Sequence, residues 1–209
     1  MSRLAVLISG RGSNLQAITE AIRDGALRAT IALVISNRAD APGLARAREA
    51  GIEAAHLSAQ PYANREDYDR ALVRELRARN VDLVCLAGFM RLVGAPMLEA
   101  FPNRILNIHP SLLPSFPGLD AQRQALEHGV KITGATVHFV TGELDGGPII
   151  LQTAVPVHVD DTVETLSARV LVEEHRIYPK AISLIVSGAY QIDGRRVRIL
   201  GRGSNLTTF

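Results

Sequence analysis

Over the first half of the chain the apolar positions alternate between two patterns. Positions 4–8 and 81–87 are nearly continuous apolar runs, as strands covered on both faces require. Between them, residues 14–23 carry Leu15, Ile18 and Ile22 at helical spacing, and residues 65–79 place positions 68, 72, 73 and 76 on one face with charges opposite. Residues 31–36 read as a further strand and 43–50 as a short helix closed by Gly51. Strand and helix in alternation predict the α/β class, a doubly wound, mostly parallel twisted sheet with helices on both faces. The second half predicts a strand at 105–109, a helix at 121–128 and strands at 134–140 and 149–157 joined by a Gly-rich turn. A long helical stretch at 161–187 should break at Pro179, and a hairpin over 188–200 should turn at Asp193-Gly194. No low-complexity linker separates the halves, which predicts one domain over 1–209 made of a 1–100 half and a 101–209 half.

Composition narrows the function classes. The 209 residues, 47% of them hydrophobic, are enough for a core that buries roughly 70% of the unfolded surface. The 23 basic and 21 acidic side chains leave a net charge of +2, which argues against nucleic-acid binding over a broad basic face. A polyanion would have to be met locally. Cys85 has no partner for an intramolecular disulfide and sits in an apolar run, so it reads as core filler. There is no signal-peptide pattern and no apolar run of membrane-spanning length, which predicts a cytoplasmic protein without a membrane partner. The segment GRGSNL at 10–15 recurs at 201–206, too near the end for a following helix, and no function attaches to the repeat.

Three places carry candidate chemistry. Gly12, Ser13 and Asn14 lie between the first strand and the first helix, where backbone N–H groups and the helix dipole suit a phosphate. The dinucleotide fingerprint would need glycine where Leu15 stands, which disfavours an NAD-type site, and a plain turn that caps the helix through Ser13 or Asn14 stays open. Asn107 and His109 are two residues apart on a strand that ends at Pro110, so amide and imidazole point the same way at a strand end. The other histidines, His138 among them, read as ordinary core or surface residues, and none has a neighbour at metal-ligand spacing. Asp145, in the glycine-rich turn, is either a turn aspartate or a carboxylate that orients His109 and favours its imidazolium form. In the second case Asn107, His109 and Asp145 form a set aimed at a developing oxyanion. Ser111 is close to the set, but a nucleophile elbow is absent.

Five segments, GRGSN at 10–14, LAGFMRLV at 86–93, NIHPSLLPSFPG at 107–118, GATVHFVTGELDGGPIILQ at 134–152 and EEHRIYP at 173–179, together resemble the phosphoribosylglycinamide formyltransferases, folate-dependent enzymes of purine synthesis. The resemblance covers about residues 3–190. It implies that Gly12, Ser13 and Asn14, with Glu174, hold glycinamide ribonucleotide. It implies that 10-formyltetrahydrofolate, the cosubstrate, lies against Arg65, Met90, Arg91, Leu92, Val93, Asn107, Thr141, Gly142, Glu143, Leu144 and Asp145. Asn107, His109 and Asp145 match the catalytic positions, with Asp145 raising the His109 pKa, and no metal is implied. The 1–100 half would then bind the phosphate and ribonucleotide, and the 101–209 half the folate. Asp120 and Gln122 depart from histidines that some members carry, and Leu171 from a glutamine.

The shared motifs leave other readings open. Methionyl-tRNA formyltransferases add a C-terminal tRNA domain, whereas here the last helix is followed by a short tail with Arg195, Arg196, Arg198 and Arg202. Formyltetrahydrofolate hydrolases add an N-terminal regulatory domain, whereas here the first strand starts at once. A noncatalytic nucleotide-binding module is the alternative of another class. The partners expected are small molecules and no nucleic acid, with monomer and homodimer both open.

Overall fold

The computed structural model describes residues 1–200, so the repeat at 201–206 and Arg202 lie outside the described residues. The chain divides into two compact units, the first Met1–Asn107 and the second from Ile108 onward. No helix among the described residues is long and apolar enough to cross a membrane.

The first unit is a parallel sheet wound in both directions. Its elements are β1 (Ser2–Ile8), α1 (Ser13–Arg23), β2 (Ala29–Ser36), α2 (Pro42–Glu49), β3 (Ala54–His56), α3 (Arg65–Ala78), β4 (Leu83–Leu86), α4 (Ala95–Ala100) and the start of β5 (Ile105–His109). The strand order is β3-β2-β1-β4-β5, and every pair is parallel. Leu4, Ala5, Val6, Leu7 and Ile8 are all 0% exposed, because β1 lies between two strands and is covered on both faces. Winding proceeds from β1 to β2 and β3 on one side, then from β4 to β5 on the other. The direction therefore reverses between β1 and β4, and the carboxyl ends of strands at such a reversal are where α/β sheets bind ligands. Cys85 is buried in β4, as core filler should be.

The second unit holds α5 (Ala121–Glu127), β6 (Ile132–Phe139), β7 (Ile149–Pro156), α6 (Val163–Val186), β8 (Tyr190–Asp193) and β9 (Arg196–Ile199). The order is β6-β7-β9-β8, with β6/β7 and β8/β9 antiparallel and β7/β9 parallel. The α/β class and the mostly parallel sheet are those read from the sequence.

Three details differ. Pro179 does not interrupt the long helix, since α6 runs through it. Its ring lacks the N–H a helix uses there, but Ile177, Tyr178, Ala181 and Ile182 around it are all buried, and that packing keeps the helix going. The elements β3 and α4 were not foreseen, being 3 and 6 residues long and without a pattern of their own. On α3 the buried face uses Ala71 in place of Val73, and it also takes in Asp69.

Candidate active site

In the first unit, α1 begins at Ser13 with Gly12 as its N-cap, at φ 73°. A glycine cap has no side chain to bond the first-turn N–H groups, and the first turn carries no acidic residue. The helix start thus turns its positive dipole end toward the loop at Gly12, and the capping position is held by that glycine, not by Ser13 or Asn14. Gly12 is required twice over, by its left-handed backbone and because a Cβ there would stand 2.8 Å from the Cα of Gly43. Asn14 is buried and Leu15, where the fingerprint glycine would be, is packed in the core at 1% exposure.

After β4, Met90 and Leu92 expose 64% and 57% of their surface, while Arg91 lays its guanidinium 5.0 Å from the centre of the Tyr68 ring. The Arg91 Nε–H is buried and has no hydrogen-bond partner. Arg65 opens α3 as an exposed residue, next to the Asn64 cap that accepts from the Asp67 N–H at 2.9 Å.

Asn107 and His109 occupy β5, Asn107 half-buried and His109 at 4% exposure. In the second unit His109 meets Asp145, Nδ1 to Oδ2 at 3.4 Å, and its Nε2–H donates to the Phe116 carbonyl at 2.8 Å. Asp145 does reach the imidazole. Several groups hold the carboxylate in place: the Gly118 N–H donates to Oδ2 at 2.8 Å, and His138 Nε2 lies 3.6 Å from Oδ1. The Asp145 backbone is left-handed at φ 48°, and so is that of Phe116 at φ 54°. Such conformations persist in non-glycine residues only where the surroundings enforce them. Gly147 enforces one side of the turn, because a Cβ there would run into the Phe139 carbonyl.

The Asp145 charge raises the His109 pKa, as expected, while the net shift is downward. Burial is the largest cause and outweighs both the Phe116 hydrogen bond and the Asp145 charge, with His138 adding a further downward push. Burial would also raise Asp145, but the His138 contact, the Gly118 N–H and the His109 charge together hold it below the usual carboxylate range. His109 faces an acceptor at each ring nitrogen, so both bonds are satisfied only by the imidazolium, which burial opposes.

His138 is the residue that the sequence reading missed. It is 2% exposed on β6, at a register shift between Val137 and His138, and its Nδ1–H donates to the Phe139 carbonyl at 2.9 Å. Only the position of Asp145 in space shows what it faces. Elsewhere in this unit Glu174 is buried on α6, Leu144 is 56% exposed, and Glu143 pairs at the surface with Arg195 at 3.1 Å. Thr141 is half-buried and Gly142 exposed.

A family model described as formyl transferase matches residues 2–182. The chain belongs to the formyl transferase family. Within that family it is similar to phosphoribosylglycinamide formyltransferase of Escherichia coli (strain K12), 49% identical over 201 residues that make up 93% of this chain and 95% of that one. It is 50% identical over 191 residues to the human trifunctional purine biosynthetic protein adenosine-3, and the match covers 91% of this chain but only 19% of that relative. The crystal structure of glycinamide ribonucleotide transformylase 1 from Symbiobacterium toebii superposes with a TM-score of 0.95 at 64% identity, covering 96% of this chain and 95% of that chain.

Proposed function

We propose that this formyl transferase moves the formyl group of 10-formyltetrahydrofolate to the amine of glycinamide ribonucleotide, giving formylglycinamide ribonucleotide and tetrahydrofolate in purine synthesis. The Asp145 carboxylate, its side chain 9% exposed, set against His109, two residues along β5 from Asn107, carries this reading. The names of the E. coli and Symbiobacterium relatives support the choice of substrates.

Asn107 and His109 share one face of their strand, so an amide N–H and an imidazole N–H can serve one oxygen. As the amine nitrogen bonds to the formyl carbon, the two donors stabilise the negative charge that gathers on the formyl oxygen. The bond from that carbon to the folate nitrogen N10 then breaks, and the proton released by the amine passes to N10. Asp145 holds the imidazole in orientation and favours the charged form against the pull of burial. The Nε2–H of His109 is committed to the Phe116 carbonyl in the free protein, so the formyl oxygen takes that carbonyl's place.

The glycine-capped start of α1 at Gly12, Ser13 and Asn14 suits the phosphate of the ribonucleotide, with Glu174 as a further contact. For the formyl donor, the exposed Met90 and Leu92 beside the unclaimed Arg91 Nε–H fit a flat heteroaromatic that presents acceptors along its edge. Arg65, Val93, Asn107 and residues 141–145 complete the set proposed for it. Formyl transfer from 10-formyl-5,8-dideazafolate, followed by absorbance, tests the reading. Product formation that depends on glycinamide ribonucleotide is the result expected. Folate release without the ribonucleotide would make the chain a hydrolase, and no release at all would leave a binding module.

A further inference from the structure

Ser9 is the first residue past β1 and is 7% exposed. Its backbone runs directly into the loop that carries Gly12, Ser13 and Asn14. Its N–H donates to the Gly88 carbonyl at 3.0 Å. Its hydroxyl donates to Asn37 Oδ1 at 2.6 Å and accepts from the Met90 N–H at 2.8 Å. Asn37 follows β2 and Met90 follows β4, the two strands that flank β1. One serine therefore ties together the carboxyl ends of three neighbouring strands, at the place where the winding of the sheet reverses.

We infer that Ser9 is a positioning residue for the formyl donor, fixing the backbone where the segment Met90, Arg91, Leu92 and Val93 begins, against the strand that carries the ribonucleotide loop. The inference rests on the function proposed above. A hydroxyl has one proton and two lone pairs. Asn37 takes the proton, and that choice leaves a lone pair for the Met90 N–H. Asn37 thus acts through Ser9, and its own loss would free the hydroxyl to turn. The Met90 side chain stays 64% exposed while its N–H is held, so the tether fixes the segment without covering the surface offered to a ligand.

Ser9→Ala removes both hydroxyl bonds and adds no volume. The KM for the formyl donor should rise about three- to tenfold, the worth of one ordinary hydrogen bond, while kcat and the KM for the ribonucleotide stay within about twofold. Exchange of the Met90 amide with solvent, followed by NMR, should speed up in the same variant. Asn37→Ala should give the same signature at smaller size, and in the double variant the two effects should not add, because both work through one hydroxyl. Should Ser9→Ala prove insoluble, Asn37→Ala carries the test by the same readouts. An unchanged donor KM in an active variant, or additive effects, overturns the role of Ser9 alone. Absence of formyl transfer by the unsubstituted chain overturns the functional reading and this role with it.

Discussion

The loop after β1 and the turn between β6 and β7 are both glycine-rich, yet they work by opposite means. The first presents backbone: Gly12 caps α1 in a left-handed conformation, pressed against Gly43, and the side chain at that position is none at all. The second presents one side chain: its glycines bend the chain so that Asp145, itself in a left-handed conformation, stands against His109, His138 and the Gly118 N–H. A site made of backbone donors depends on where the chain can pass, and a site made of a side chain depends on what the chain points at. Adding a Cβ should ruin the first, and removing a carboxylate should ruin the second.

The largest expected effect lies in the second loop and its partners. Asp145→Ala and His109→Ala should each lower kcat by roughly 10²- to 10⁴-fold, and Asn107→Ala by roughly 10²- to 10³-fold, with circular dichroism unchanged. Near-normal turnover in folded His109→Ala would remove the mechanism. The backbone-built loop comes next. Gly12→Val places a branched side chain at φ 73° and against Gly43, and backbone strain of about 1–3 kcal/mol should raise the ribonucleotide KM roughly tenfold or more. Ser13→Ala, which leaves the backbone donors in place, should raise it by about two- to tenfold. If Ser13→Ala proves the more damaging of the two, the contrast between the loops is drawn wrongly.

The smallest effect is a titration. Asp145→Asn removes an upward influence on His109 and should lower its pKa further in an NMR titration; a rise would mean the carboxylate does not favour the imidazolium. The sign also governs stability. His109 has a folded pKa below its ordinary 6.5, so as pH falls through 6.5 the unfolded chain takes up a proton that the folded chain refuses, and this contribution to stability is lost until the folded pKa is passed. His109→Gln should flatten that part of the curve of stability against pH.

How much could be read in advance follows the same division. The apolar runs of β1 and β4 announce themselves because strands buried on both faces have no polar positions to confuse the pattern, and the start of α1 after Gly12 is a local event. Asn107 and His109 could be paired because alternation along a strand is also local. His138 could not, since one histidine on a buried strand looks like any other until a residue from the next turn comes to face it. The direction of the His109 shift was hidden for a related reason: a carboxylate partner can be guessed from sequence, but the depth of burial that outweighs it cannot. Pro179 shows the same limit for helices, where packing on both sides overrides a local rule.

One carboxylate between two imidazoles also sets a count. A proton arriving on His109 finds a single counter-charge, Asp145, whose two oxygens are divided between His109 and His138. The carboxylate therefore has one oxygen for each ring, so a change at Asp145 is felt at both imidazole positions at once.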